Sequence, residues 1–238
     1  MIEVLNISKS IKNNPIISNV SLQIHPGEII GLMGPNGAGK TTIFNAISGF
    51  IKVDKGTIKI DGQEVTHYPP YKRARFGLSF LPQEHSLFEE ITAWDNILMF
   101  ADFIYKNKKD AQDISEELLQ SFGLLEHKDK KAGELSGGMK RKLEVARCLL
   151  IKPSYIMLDE PFAGVDPVAI SDIKKMLLDL KEKNIGILIT DHNVFELLRL
   201  IDRGYIINHG SVLAEGTPKD LLKNEKVREV YIGYEIEL

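Results

Sequence analysis

The chain has 238 residues, of which 43% are apolar and 26% charged, a globular balance with room for one large core. A net charge of −3 excludes nucleic-acid binding through bulk positive charge, and the single cysteine, Cys148, excludes an internal disulfide framework and fits a reducing compartment. The opening Met1-Ile2-Glu3 is acidic rather than signal-like, and no run of about 18 apolar residues occurs, so any membrane role is expected to run through partners.

The first 30 residues read as strands. Val20-Ser21-Leu22-Gln23-Ile24 alternates with period two, and Ile29-Ile30-Gly31-Leu32-Met33 is a continuous apolar run suited to a buried parallel strand. A glycine-rich loop then opens into a helix near Lys40. Ile58 and Ile60 share one face of a further strand, closed by a turn at Asp61-Gly62. Residues 85 to about 135 are mainly helical and charge-punctuated, which predicts a helical lobe inserted into an α/β core. Core character returns at Tyr155-Ile156-Met157-Leu158 and at Gly186-Ile187-Leu188-Ile189-Thr190. Between them, Asp166 can cap a helix with Pro167 at its first position and Ile170, Ile173, Leu177 and Leu180 at helical spacing. Strand, helix, strand predicts a parallel βαβ unit. Cys148 falls in an apolar helical stretch and reads as a small hydrophobe. The tail predicts a hairpin turning at Asn208-His209-Gly210 and a capped helix after Thr217.

Three places carry chemistry. Gly34-Pro35-Asn36-Gly37-Ala38-Gly39-Lys40-Thr41, followed by Thr42, fits the phosphate-binding loop between a strand and a helix. Its glycines let backbone N–H groups surround phosphate oxygens, Lys40 adds a full positive charge, and the Thr41 hydroxyl can meet Mg²⁺. Tyr155 to Leu158 ends in Asp159-Glu160-Pro161, two carboxylates at the carboxyl end of a strand, where open α/β sheets place ligands. Asp159 is expected to hold magnesium and Glu160 to polarise the attacking water as general base. His192 follows the next core strand and can touch the terminal phosphate or orient Glu160.

Among phosphate-loop proteins, Asn107-Lys108-Lys109-Asp110 fits the guanine-reading pattern of GTPases. It sits in a charged helical connection, however, and no aspartate is followed three residues later by glycine. Leu135-Ser136-Gly137-Gly138-Met139 decides differently. It resembles the signature motif of ABC transporter ATPases and lies between the phosphate loop and the Asp159 strand, as in that family. The resemblance spans nearly the whole chain and implies a single ABC ATPase domain. Residues 1–84 and 151–238 would form a P-loop core with a parallel sheet, an antiparallel β lobe and a tail, and residues 85–150 the helical lobe. It implies Mg²⁺ and ATP as cofactors. Gln83 would meet Mg²⁺ and report to the membrane partner, and Asp166 would link two active sites of a head-to-tail homodimer. Ser136, Gly137 and Gly138 would complete the site of the opposite protomer.

Within that family the sequence is similar to the lipopolysaccharide-export ATPases of Gram-negative bacteria. The likeness lies in Leu81-Pro82-Gln83-Glu84 with Phe88, in Asp159 to Pro167, in Ile189 to Val194, and in the tail with Val230-Tyr231-Ile232-Gly233. The ATPases of branched-chain amino-acid importers share much of this and are the rival. Either resemblance implies a peripheral subunit on the cytoplasmic side of the inner membrane, without direct cargo contact. Phe88, Trp94, Phe100, Phe103 and Tyr105 cluster just after Gln83. They are expected to fill the lobe's core, with Phe88 and some neighbours lining a groove for a short helix of an integral-membrane subunit. Soluble ABC proteins of translation or repair carry two cassettes or a long coiled coil, and neither is present. A regulatory module without turnover would have no need of Glu160. One departure stands out: the family's adenine-stacking aromatic is replaced by Ile11 in Lys9-Ser10-Ile11-Lys12.

Overall fold

Residues 1–232 are described by the computed structural model. β1 (Ile2–Ile11) and β2 (Asn14–Ile24) pair antiparallel with Ile2 opposite Ile24, Val4 opposite Leu22 and Ile7 opposite Val20. One buried face and one wet face fix that register, since a one-residue slip would expose the whole apolar set. β3 (Ile29–Met33) is buried at every position. It leads into the glycine loop and α1 (Lys40–Ser48), which ends at Gly49 in the left-handed region. β4 (Lys55–Ile60) and β5 (Gln63–Glu64) complete a four-stranded antiparallel sheet in the order β2-β1-β4-β5.

α2 (Pro70–Ala74) and β6 (Leu78–Leu81) follow; neither was legible in the sequence pattern. From α2, the fully buried Arg73 reaches under α1. Its guanidinium donates to the carbonyls of Ala46 and Ile47 at 2.6 Å each, and to those of Tyr68 and Thr66 at 2.9 Å each. A helix leaves its last carbonyls without intrahelical partners, and Arg73 supplies them for α1. Burial lowers its pKa to about 10, which leaves it charged at neutral pH.

The helical lobe comprises α3 (Ala93–Ile104), α4 (Lys108–Ser121) and α5 (Gly137–Leu149). Ala93, Ile97 and Ala101 pack with Ala111, Leu118, Leu143, Ala146 and Leu150, one apolar stripe from each helix. The N-K-x-D fragment resolves into a helix cap, because the Asn107 side chain accepts the Lys109 N–H at 3.1 Å.

β7 (Tyr155–Asp159), α6 (Pro167–Glu182) and β8 (Gly186–Thr190) form the parallel βαβ unit, with Asp166 capping α6 through the N–H groups of Val168 and Ala169. α7 (Val194–Leu198), the β9 (Arg203–Asn208) and β10 (Ser211–Gly216) hairpin, and α8 (Pro218–Lys223) follow, the last opening with a Thr217–Asp220 capping box. The second sheet has the order β10-β9-β3-β8-β7-β6, parallel except for the β10 edge. Its alternation serves two cores. Ile30, Leu32, Met157 and Leu188 face the antiparallel sheet and α1, while Ile29, Met33, Ile156, Leu158, Ile187 and Ile189 face α6, α7 and the tail. Cys148 is half-buried with its sulfur 4.0 Å from the Phe80 carbonyl, and burial raises its thiol pKa, which makes it inert packing.

Arg73→Leu strands four carbonyls beneath α1 and is expected to cost about 3–5 kcal/mol. Urea unfolding should show a lower midpoint with an unchanged m-value; a midpoint equal to that of the wild type would contradict the clamp.

Candidate active site

At the carboxyl end of β3 the chain enters the loop at Gly34, with φ 142°. A Cβ there would stand 2.0 Å from the Ile207 carbonyl oxygen of β9, so only glycine lets the loop start against that strand. At the crest, a Cβ on Gly37 would meet nothing within 4 Å, which leaves the cradle open. Lys40, at the first position of α1, donates to the carbonyls of Gly34 at 2.7 Å and Pro35 at 3.0 Å. Burial lowers the Lys40 pKa, and the Glu160 and Asp159 carboxylates work against that shift. Asn36 and Thr41 are exposed beside this open crest. An open loop, a helix N-terminus and an ammonium group are the elements that a polyphosphate needs, and the residues present fit one.

Glu160 stands immediately after β7 in a left-handed conformation, φ 49°, unusual for a side-chain-bearing residue and often stored at functional sites. Its N–H is held by the Thr190 carbonyl at 2.8 Å, which turns the side chain into the crevice. There one carboxylate oxygen accepts from Gln83 Nε2 at 2.7 Å and the other meets His192 Nε2 at 2.6 Å. The carboxylate is enclosed and the histidine ring exposed, so the pair opens to solvent on the histidine side. Three elements thus deliver Gln83, Glu160 and His192 to one point: β6, β7 and β8 each end there. Asp159, paired with Thr190 across β7 and β8, is buried beside Lys40 and Glu160. No cluster of three His, Cys, Asp or Glu with metal-binding geometry exists among the described residues. Magnesium is commonly held by one or two protein groups plus the substrate's phosphates. Thr41, Gln83 and Asp159 are chemically suited to that partial shell.

Ser136, Gly137, Gly138 and Asp166 form a second cluster. The Ser136 hydroxyl caps α5, accepting the Met139 N–H at 3.3 Å. Gly138 lies so close to α6 that a Cβ would come within 2.4 Å of Ala169 Cβ, and Gly137 faces the Gly164 carbonyl. The signature segment therefore rests on the loop bearing Asp166, with Ser136 and Asp166 both exposed. Ile11 is 49% exposed at the end of β1 and presents no aromatic face.

Sequence reasoning missed the pair behind the site. Arg141 and Glu144, both buried on α5, bond at 3.1 Å. Arg141 also donates to the Pro82 and Asp159 carbonyls at 3.0 Å each, while Glu144 accepts the Ser86 N–H at 2.7 Å and meets His85 at 3.3 Å. The available signal was two opposite charges three residues apart on an otherwise apolar helix face.

Burial first, and then the Glu160 carboxylate, push the Asp159 pKa up, against Arg141, Lys40 and His192. A group whose folded pKa is raised favours the folded protein when protonated, so stability falls as pH rises through its titration. In protein kept free of nucleotide, Asp159→Asn should raise the Tm by about 2–4 °C near neutral pH, about 1 kcal/mol. The gain should shrink at acidic pH, as the wild-type carboxyl takes up its proton. Paired thermal scans at the two pH values check this, and a lower Tm for the variant at neutral pH would contradict it.

Comparison with known proteins bears on this geometry. The ABC transporter family profile matches residues 17–163, and a profile of the branched-chain amino acid ATP-binding cassette transporter matches residues 211–237. The chain is 43% identical to the lipopolysaccharide export system ATP-binding protein LptB of Haemophilus influenzae, over 98% of this chain and 97% of that protein. It is 41% identical to the LptB of Escherichia coli K12, over 98% and 97%. Its fold resembles the ADP conformation of MJ1267, an ATP-binding cassette of an ABC transporter, with TM-score 0.88 and 31% identity over 98% of this chain and 99% of that one. A phosphate loop, a carboxylate held by glutamine and histidine, and a serine-capped glycine pair in this order, together with full-length relatives, place the chain in the ABC transporter family as an ATP-binding, ATP-hydrolysing subunit.

Proposed function

We propose that this subunit hydrolyses ATP to drive extraction and export of lipopolysaccharide from the inner membrane, working as a homodimer beneath integral-membrane subunits. One observation carries the reading: proteins named for lipopolysaccharide export match this chain at 40–43% identity over almost its whole length. A branched-chain amino-acid importer is the second reading, favoured by the tail profile at residues 211–237. That match is confined to the tail, so it weighs less.

In this reading residues 34–42 bind the phosphates, and Thr41, Gln83 and Asp159 would hold magnesium, which would supply positive charge to the phosphoryl oxygens. Glu160 takes the proton of the attacking water and His192 orients it. The 2.6–2.7 Å contacts that fix both Glu160 oxygens support this, since a base must be held in hydrogen-bond reach of its proton. Ser136, Gly137, Gly138 and Asp166 would complete the partner protomer's site; the exposure of Ser136 and Asp166 supports that role.

The membrane subunits would dock near Gln83 and Phe88. Trp94, Phe100 and Tyr105 pack into the helical lobe, whereas Phe88 is 52% and Phe103 92% exposed. Buried Asn96 fixes the Phe88 backbone, bonding its N–H and its carbonyl at 2.9 Å each, so the ring is presented on a rigid support. A preformed exposed aromatic on rigid backbone suits an anchor residue.

Co-expressed with lipopolysaccharide-export membrane subunits, the chain should form a complex whose ATPase rate rises when lipopolysaccharide is included in the proteoliposomes. Assembly with branched-chain amino-acid permease subunits alone would move the assignment to import. In the same complex, Phe88→Ala should reduce co-purification at least about tenfold while the isolated chain keeps its basal hydrolysis; normal co-purification would remove the anchor. Glu160→Gln should keep ATP binding and lose hydrolysis by about 10²–10⁴-fold. With Ile11 offering no stacking platform, a contribution of about 1–3 kcal/mol is missing and GTP should be hydrolysed comparably to ATP. Strict ATP preference in the wild type, unchanged in Ile11→Tyr, would contradict that.

A further inference from the structure

Asp191, the residue after β8, is only 4% exposed although it carries a carboxylate. A buried charge must be met by donors, and two backbone N–H groups meet this one. Its Oδ1 accepts the N–H of Asn193 at 2.9 Å, which closes a local turn around His192. Its Oδ2 accepts the N–H of Phe162, also at 2.9 Å, from 29 residues earlier in the chain. One carboxylate therefore bridges the turn that bears Glu160 and the turn that bears His192.

The bridge meets the Glu160 turn where the backbone is strained. Pro161 has no N–H, so the residues on either side of it bond to the end of β8: Glu160 to the Thr190 carbonyl at 2.8 Å, and Phe162 to Asp191. A φ of 49° at Glu160 persists only where the surroundings over-determine it. The Phe162 ring anchors the same turn in the cluster that holds Ile173 and Leu177 of α6. On the other side, the His192 ring is 57% exposed, so its backbone more than its packing sets its place 2.6 Å from Glu160.

We propose that Asp191 is a positioning residue for hydrolysis, its carboxylate fixing the spacing of Glu160 and His192. The inference rests on the roles given above to those two side chains and is independent of the cargo. Holding reacting groups at a set distance acts on the chemical step and leaves phosphate binding by residues 34–42 unchanged. Its loss therefore appears in kcat rather than in KM.

Asp191→Asn and Asp191→Ser both keep an acceptor for the Asn193 N–H, since asparagine and serine make the same local turn. Neither has a second oxygen for Phe162. In steady-state assays of the full-length chain, at a temperature where thermal scans show each variant folded, kcat should fall about tenfold to a hundredfold. KM for ATP and the affinity for a fluorescent ATP analogue should stay within about twofold of the wild type. In a His192→Ala background the same substitutions should cost less than about threefold more, because the pair they space is already broken. Wild-type kcat in both variants, with His192→Ala impaired, would overturn the proposal and leave the catalytic reading of the pair standing. The full loss repeated in the His192→Ala background would overturn it too. So would failure of both variants to fold, or KM and analogue affinity weakening in step with the thermal midpoint, since Asp191 would then serve folding alone. Wild-type turnover in His192→Ala itself would remove the proposal together with the reading of the pair.

Discussion

The buried ion pair between Arg141 and Glu144 is the contact on which the arrangement of the site rests. A charge pair taken out of water is stable only when its remaining donors and acceptors are met, and removing one partner costs about 3–5 kcal/mol. Here nearly all are met by the site's own backbone: the carbonyls of Pro82 and Asp159 and the N–H of Ser86. Arg141 Nε is the donor left over. The signature helix, the segment carrying Gln83 and the strand carrying Asp159 are consequently one mechanical unit. Arg147 extends it by donating to the Ser86 carbonyl while lying over the Phe100 ring at 4.3 Å. Any displacement of α5 must carry residues 82–88 with it or strand a buried charge.

That constraint connects the exposed surface to the chemistry. Phe88 lies at one end of the pinned segment, held by Asn96, and Gln83 lies at the other, bonded to Glu160. Phe88 and the serine-capped end of α5 are thus joined to the Glu160 carboxylate through the buried Asn96, Arg141 and Glu144 and the exposed Gln83. Coupling of this sort needs a continuous physical network, and each link here is a named hydrogen bond or ion pair.

The site also concentrates unfavourable terms that the fold sustains. Two adjacent carboxylates sit beside a desolvated lysine, Asp159 is raised in pKa, and Glu160 holds a left-handed backbone. The hydrophobic cores on both faces of the parallel sheet supply the stability that makes such a cluster tolerable. Under the proposed function, magnesium and nucleotide would bring charges that complement this cluster.

The sequence by itself determined the elements whose chemistry is local. Strand periodicity placed β3, β7 and β8, the glycine-lysine pattern marked the phosphate loop, Asp166-Pro167 marked the start of α6, and Thr217 to Asp220 marked a capped helix. Each depends on neighbours within a few residues, which is why spacing reveals them. Tertiary structure decided what depends on distance in space. It paired Gln83 with Glu160 and His192 and buried Arg141 with Glu144. It separated the packed aromatics Trp94, Phe100 and Tyr105 from the exposed Phe88 and Phe103, and it packed the Tyr231 ring against the core cluster that holds Met33. Of the tail motif that ends at Gly233, the last residue lies outside the described residues. A residue's type can be read from the chain, but its desolvation and its partners arise only when segments far apart in sequence close over one another, and those two quantities govern charge and catalysis.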